Sequence, residues 1–196
     1  MKHFLYASVL TVLPALVAAQ TTTADIVNHH VLPRFAALAA AGQVLADTAA
    51  EDCTAASDPL RVAYGTAFDA WIAVSHMRFG PSETDERALA LAFWPDSRGA
   101  TPKSLGILIR DQDPIAESAE AYRDMSIAAR GFYAMEFLLY DDTISTAGDA
   151  GYRCQLVQTV AADIANLTQD TSNEWVDTYA ALLTNPSSNG LHRRQP

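Results

Sequence analysis

The chain has 196 residues, of which 49% are hydrophobic and 18% are charged, so a disordered or low-complexity protein is excluded. It carries 13 lysines and arginines against 23 aspartates and glutamates, and the net charge of −10 argues against nucleic acid or an anionic membrane surface as a partner. The length favours a single domain.

The N-terminus has the pattern of a secretory signal peptide over residues 1–19. Lys2 provides a positive charge, residues 4–16 form an apolar run, and residues 17–19 are small, as a cleavage site requires. A membrane anchor is the alternative, but the run is shorter than the ~20 residues that a spanning helix needs. We therefore expect an exported mature chain that begins at Gln20 and has no membrane span.

Two cysteines, Cys53 and Cys154, are present in the chain. An exported protein folds in an oxidising compartment, where a pair of cysteines favours one disulfide. A metal site that uses both thiolates is the alternative, but these cysteines lack the short CxxC spacing of such sites. The sequence therefore predicts a disulfide that ties the first third of the chain to the last third.

The domain expected over residues 20–185 consists of helices separated by proline and glycine, and residues 186–196 are expected to form a flexible tail. The first helix has an apolar stripe at helical spacing, formed by Val31, Phe35, Leu38, Gly42 and Leu45. The second helix begins at Ser57, a capping residue ahead of Pro59, and is expected to end at Gly80.

The second helix is expected to be buried on two sides, because it carries two apolar sets. The main stripe consists of Leu60, Tyr64, Ala67, Trp71 and Val74. The second set, on another face, consists of Phe68, Ile72 and Phe79. Further helices are predicted over residues 83–93, 101–110, 118–140 and 152–183, with a turn over residues 94–99. No segment alternates with the period of a strand, so the sequence predicts an all-α helical bundle.

The segment 130–140 contains the most informative polar residues. Gly131 stands within the predicted fifth helix, where glycine costs about 1 kcal/mol relative to alanine, and this indicates a close helix contact or an approaching ligand. Tyr133 and Glu136 are three residues apart and share a helix face, which Tyr140 continues. A phenol and a carboxylate are hard oxygen ligands, suited to a hard cation. The structural alternative is a buried Tyr–Glu hydrogen bond with Arg130 as counter-charge.

Two further candidates lie near the end of the second helix. His76 follows Asp69 by two turns on the same face, and an imidazole with a carboxylate can complete a metal site. A histidine packed in the core is the alternative. Arg78 is expected to form a structural ion pair with an acidic residue of another helix.

Three separated segments of the chain resemble the imelysin family, a group of exported bacterial proteins that are also classed as imelysin-type peptidases. They are residues 70–81, which include Trp71 and end in Arg-Phe-Gly-Pro, residues 93–96, Phe-Trp-Pro-Asp, and residues 130–139, Arg-Gly-Phe-Tyr-Ala-Met-Glu-Phe-Leu-Leu. The resemblance covers most of the mature chain. It implies an all-helical bundle, a periplasmic or cell-envelope location, a link to iron acquisition and a metallopeptidase classification.

The chain departs from the family pattern in two respects. The family motif is Gly-x-His-x-x-Glu, and here Gly131 and Glu136 match while Tyr133 takes the histidine position. Imidazole suits zinc or ferrous iron, whereas tyrosine binds as phenolate and favours ferric iron. The substitution therefore weakens a hydrolytic zinc mechanism more than it weakens iron binding. Family members also commonly have two helical-bundle halves, and this chain accounts for about one, so a site between halves would need a second chain.

The sequence and the resemblance together predict an exported, periplasmic protein that binds a metal ion, with ferric iron favoured. The predicted metal ligands are Tyr133, Glu136 and His76. The expected protein partner is an envelope transport component or a second imelysin-like chain. A metal-dependent peptidase and a non-catalytic interaction module are the alternative functions, and the missing motif histidine argues against the peptidase.

Overall fold

A computed structural model of the protein describes residues 22–185, and every regular element in that range is helical. This confirms the prediction of an all-α bundle; the predicted signal peptide and flexible tail lie outside the described residues. The α-helices are α1 (Leu32–Glu51), α2 (Asp58–Val74), α3 (Arg87–Leu91), α4 (Ala100–Asp111), α5 (Ala119–Tyr122), α6 (Gly131–Tyr140), α7 (Ala150–Glu174) and α8 (Ala180–Thr184). A π-helical segment, Val27–Val31, precedes α1, and another, Trp175–Tyr179, joins α7 to α8.

Helices α1, α2 and α7 form the centre of the bundle, where α1 packs against both of the others. The predicted stripe of α1 is buried along its whole length, including Gly42. A Cβ at Gly42 would lie 2.6 Å from Thr168 Oγ1 and 3.4 Å from Ala165 Cα, so the absence of a side chain lets α7 approach α1 closely.

The predicted disulfide is present and joins the end of α1 to the first turns of α7. Cys53 lies two residues after the end of α1 and Cys154 lies within α7, with 5.1 Å between their Cα atoms and a sequence separation of 101. This pairing is possible because α1 and α7 are antiparallel neighbours that bring two distant parts of the chain together.

The start and the main stripe of α2 agree with the sequence prediction. The Ser57 hydroxyl accepts a hydrogen bond from the Leu60 amide at 3.4 Å, and Pro59 occupies the first turn. All five residues of the main stripe are buried. Among them Trp71 stacks against Phe132 of α6, with 6.4 Å between ring centroids.

Two predictions about α2 are wrong. The helix ends at Val74 and not at Gly80. Just after this end, the Ser75 hydroxyl donates to the Ile72 carbonyl at 3.0 Å, a carbonyl that in a longer helix would accept from a backbone amide. The second apolar set is not buried as a whole, since Ile72 is 54% exposed and Phe79 is 42% exposed. Phe68 of this set is partly buried, because its ring packs against Phe132 and Tyr133 of α6.

The prediction of one continuous fifth helix over residues 118–140 is also wrong. The segment divides into α5, a 3-10 turn (Ile127–Ala129) and α6. The Ser126 hydroxyl caps the turn by accepting from the Ala128 amide at 3.4 Å. The Tyr122 hydroxyl donates to the Ala129 carbonyl at 2.8 Å and so removes that carbonyl from any continuous helix. Arg130 is extended, and Gly131 therefore begins α6 instead of lying inside a helix.

The remaining elements follow the prediction closely, except that the helix expected over residues 83–93 is reduced to α3 and a preceding 3-10 turn, Thr84–Glu86. Asp85 and Glu86 have positive φ angles of 50° and 57°, which interrupt helical geometry there. The helix expected over residues 152–183 is present as α7, the second π-helical segment and α8. Between residues 22 and 185, no helix combines the length and apolar character needed to cross a membrane.

Candidate functional site

Helix α6 begins at a glycine that two independent constraints require. Gly131 has a φ of +72°, a conformation that L side chains rarely adopt. A Cβ at this position would also lie 2.2 Å from the Ala90 carbonyl oxygen and 2.3 Å from that of Leu91. The backbone of α3 therefore contacts α6 where any side chain would project, and this close contact fixes the direction in which α6 presents its exposed face.

That face borders a cleft with a volume of about 700 Å³. Tyr133 and Glu136 both line it, as the shared helix face predicts. The other lining residues come from α2, from the segment between α3 and α4, from the start of α4 and from the end of α6. They are Phe68, Phe93, Trp94, Asp96, Gly99, Thr101, Pro102, Phe137, Tyr140 and Asp141.

Asp96 shapes the cleft wall by capping α4. Its carboxylate accepts hydrogen bonds from the amides of Ala100 and Thr101, at 2.7 Å and 2.8 Å. These bonds, with that from Thr101 the largest contribution, hold the pKa of Asp96 below its usual value. Asp96 is therefore an anion at neutral pH, although its oxygens are already engaged by the backbone. Sequence reasoning missed this role of Asp96. The available signal was an aspartate placed four residues before the start of a helix.

Aromatic rings hold Tyr133 in place. The Tyr133 ring lies 5.7 Å from Trp94 and 6.0 Å from Phe68, which it meets edge to face. Tyr140, one further turn along α6 from Phe137, contacts Tyr64 at 5.8 Å, and the Arg61 guanidinium lies over its ring at 4.9 Å from the centroid.

The charge at the cleft is negative. Burial, and to a smaller extent the Glu136 carboxylate, raise the pKa of Tyr133, so its phenol is protonated at neutral pH unless a cation displaces the proton. The Glu136 side chain is exposed and forms no hydrogen bond or ion pair with other residues in the range 22–185. No lysine, arginine or histidine lines the cleft.

His76 is not brought to Tyr133 and Glu136. It lies exposed beyond the end of α2, with its ring 6.3 Å from that of His30 and outside the lining of the cleft. Within the described part of the chain, no group of three or more His, Cys, Asp or Glu side chains is placed to hold a metal ion. Tyr133 and Glu136 are therefore the two predicted ligands that the fold places together.

Arg78 forms an ion pair, but with a near neighbour in sequence. Its guanidinium donates to both carboxylate oxygens of Glu83, the Nη2–Oε2 distance being 3.3 Å. Hydrogen bonding to Arg78 lowers the pKa of Glu83. Both side chains are more than two-fifths exposed, so the pair contributes little stability.

The expectation that Arg130 serves as counter-charge to Tyr133 and Glu136 is wrong. Arg130 points into the core and binds Asp163 of α7 through Nε–Oδ2 and Nη2–Oδ1 hydrogen bonds of 2.9 Å and 2.7 Å. Burial raises the pKa of Asp163, and the Arg130 guanidinium opposes that effect. Sequence reasoning missed Asp163, although a carboxylate directly before Ile164, inside an apolar helical stripe, is a signal for a buried ion pair.

Comparisons with known proteins agree on one family and one fold. The family profile described as imelysin matches residues 31–194. The fold matches the crystal structure of an imelysin-like protein from Psychrobacter arcticum 273-4 with a TM-score of 0.77 and 22% sequence identity, over 92% of this chain and 57% of that chain. This chain thus spans little more than half the length of that structure, and at this identity the likeness establishes the fold alone. A search of curated proteins found no match.

Proposed function

The chain belongs to the imelysin family, and from this premise we propose that it is an exported binding protein that holds a metal ion, ferric iron in preference to zinc, at Tyr133 and Glu136. The observation that carries the proposal is the position of these two oxygen donors, one helical turn apart, in the same cleft. A carboxylate and a phenolate are hard anionic ligands, and a phenolate in particular favours ferric iron.

The protonation of Tyr133 supports a preference for the trivalent ion. Because burial and Glu136 raise the pKa of this phenol, a bound cation has to displace a firmly held proton. A charge of three stabilises the phenolate more than a charge of two does at the same distance. Two side chains fill only part of the coordination sphere of iron, so the ion is proposed as cargo that keeps ligands of its own, either water or an organic chelator.

Export to the periplasm or cell envelope forms part of the proposal. The disulfide between Cys53 and Cys154 supports it, because such bonds persist in oxidising compartments and are rare in the cytosol. The proposed protein partner is an envelope transport component or a second imelysin-like chain.

Binding is proposed in place of hydrolysis because of the available donors. A catalytic zinc site uses three protein ligands and an open position for water. In residues 22–185 no three His, Cys, Asp or Glu side chains are grouped in this way, and the motif histidine is Tyr133.

A titration tests the proposal directly. Metal-free protein is titrated with ferric nitrilotriacetate, and a phenolate–ferric contact is expected to produce a visible absorption band. Tyr133→Phe should remove the band while leaving the helical circular dichroism unchanged. Tyr179→Phe is the matched control. It removes a phenol from the second π-helical segment, outside the lining of the cleft, and should keep the band. Equal colour in the parent and Tyr133→Phe would refute the assignment.

A further inference from the structure

The cleft has a second chemical character that the metal proposal does not use. Its walls are mainly aromatic, with ring faces supplied by Phe68, Phe93, Trp94, Tyr133, Phe137 and Tyr140. Ring faces carry negative partial charge and attract cations. Together with the absence of basic lining residues, this makes the cleft suited to a positively charged organic group.

Among these side chains, Trp94 gives the strongest indication of a ligand site. It is 69% exposed, so most of its indole surface is not used to stabilise the core. It nevertheless has a fixed neighbour, since its ring lies 5.7 Å from that of Tyr133 at an interplanar angle of 36°. Phe68 supports Tyr133 from another direction, at 6.0 Å. At this separation the rings of Trp94 and Tyr133 are in contact, so they form one continuous aromatic wall of the cleft, and most of the Trp94 indole remains exposed.

The carboxylates of the cleft differ in whether they already accept hydrogen bonds from the protein. Asp96 accepts from the amides of Ala100 and Thr101, and Asp141 accepts from those of Thr143 and Ile144 at 3.0 Å and 2.9 Å. The carboxylate of Glu136 has no such partner in the described chain, and it lies one helical turn from Tyr133. It is therefore the negative charge available to a ligand bound against the rings.

We propose that this cleft binds a small alkylammonium cation of the trimethylammonium type, held against the aromatic wall of Trp94 and Tyr133 and neutralised by Glu136. A guanidinium group also stacks on aromatic rings, as Arg61 does on Tyr140, but its five N–H donors need acceptors, and ring faces provide none. A quaternary ammonium group has no N–H donors to satisfy and binds well to such faces. A cleft of about 700 Å³ also has room for the remainder of a small metabolite.

This inference does not rest on the metal proposal, although the two share Tyr133 and Glu136. The ammonium site uses the ring of Tyr133, while the metal site uses its oxygen. Trp94 contributes only to the ammonium site. Substitutions at these two positions therefore separate the two proposals.

The test is calorimetric titration of metal-free protein with choline and with 3,3-dimethylbutan-1-ol, which has the same shape without the charge. Choline should bind at least about tenfold more tightly than the alcohol, and Trp94→Leu should weaken choline binding about tenfold. Trp94→Leu should keep the ferric band, whereas Tyr133→Phe should lose it and weaken choline binding by less than about threefold.

Phe79→Leu is the matched control, because Phe79 is also an exposed aromatic but lies outside the cleft. It should bind choline like the parent. Glu136→Gln provides a second variant that removes the charge from an exposed side chain without altering the aromatic walls. No saturable choline binding up to roughly 20 mM, equal binding of the neutral alcohol, or unchanged affinity in both Trp94→Leu and Glu136→Gln would overturn the proposal.

Discussion

Arg130 and Asp163 form a buried, two-point ion pair that sets the start of α6 against the middle of α7. The two hydrogen bonds measure 2.9 Å and 2.7 Å, and Asp163 is completely buried. Arg130 also donates to the Arg123 carbonyl at 2.9 Å, which ties the preceding loop to the same point. Because Arg130 directly precedes α6, this pair helps to determine where Tyr133 stands in the cleft.

Removing Asp163 should be strongly destabilising. Asp163→Ala leaves the Arg130 guanidinium buried without a counter-charge, and losing one partner of a buried pair typically costs about 3–5 kcal/mol. We expect the free energy of unfolding, measured by urea denaturation, to fall by that amount.

Asp170→Ala is the matched control for this substitution. Asp170 lies two turns further along α7 and pairs with Arg123 at 3.1 Å, but both side chains are more than 40% exposed. An exposed pair contributes less than about 1 kcal/mol, so this variant should be close to the parent. Equal losses in the two variants would show that the burial of Arg130 and Asp163 is not what makes their interaction matter.

Gly131→Ala should destabilise the protein through the backbone and through a clash. The positive φ costs alanine about 1–2 kcal/mol, and overpacking against the carbonyls of Ala90 and Leu91 adds about 1–3 kcal/mol. Gly106→Ala in α4 is the control, because nothing lies within 4 Å of its Cβ position; it should be neutral or stabilising by up to about 1 kcal/mol. The two variants are compared by thermal and urea unfolding, and a Gly131→Ala protein as stable as the parent would contradict the contact with α3.

Loss of the disulfide should lower stability substantially without changing the fold. Cys53 and Cys154 are 101 residues apart. Closing a loop of that length lowers the entropy of the unfolded chain, which raises the free energy of unfolding by about 4–5 kcal/mol at room temperature. A Cys53→Ser/Cys154→Ser protein should therefore unfold at a lower urea concentration with the same helical signal. Mass spectrometry of the unreduced parent should show a mass two hydrogens below that of the reduced chain, and free thiols in freshly purified protein would disprove the bond.

Asp96 should make stability depend on pH. Its pKa is lowered in the folded protein by the Thr101 and Ala100 amides, so the ionised form contributes stability above the ordinary aspartate pKa. That contribution disappears as the pH falls through the lowered, folded-state pKa. Asp96→Asn should therefore lower the melting temperature at neutral pH, and the difference from the parent should shrink as the pH falls below the ordinary aspartate pKa and through the lowered folded-state pKa. A difference that does not change with pH would mean that the charge of Asp96 is unimportant.

No zinc-dependent peptidase activity is expected. Tyr133 replaces the residue best able to hold zinc at neutral pH, and Glu136 alone cannot supply the three ligands that a catalytic zinc uses. The parent with added zinc should not cleave unfolded casein above the rate of Glu136→Ala. Cleavage by the parent that is lost in Glu136→Ala would establish the peptidase alternative instead.

Periodicity predicted those parts of the fold in which one helix face is simply buried. The stripes of α1 and α2, the cap at Ser57 and the helical span that α7, the second π-helical segment and α8 form together were predicted, since periodicity and capping are signals between residues close in sequence. The interruption before α6 was not predictable in this way. No proline or glycine stands between Ile115 and Arg130, and the break is imposed by the Tyr122 hydroxyl and by the Arg130 side chain bonding across the fold.

The candidate site was predictable to a similar extent. Tyr133 and Glu136 share a cleft because three-residue spacing on one helix is enough to place two side chains together. The separation of His76 from them depends on where α2 ends, and this helix ends at Val74, before the glycine and proline from which its end was predicted. The contribution of Trp94 depends on the path of an irregular segment, for which the sequence offers no period.

The disulfide encloses the entire cleft in a covalent ring. Every lining residue, from Phe68 to Asp141, lies between Cys53 and Cys154. A single proteolytic nick in an irregular connection within the ring, such as residues 142–149, would open it without releasing either fragment. The fragment that carries the whole cleft would stay bound through the disulfide to the fragment that carries α7 until a reductant separated the two fragments. Cleavage in this connection would therefore be visible only after reduction.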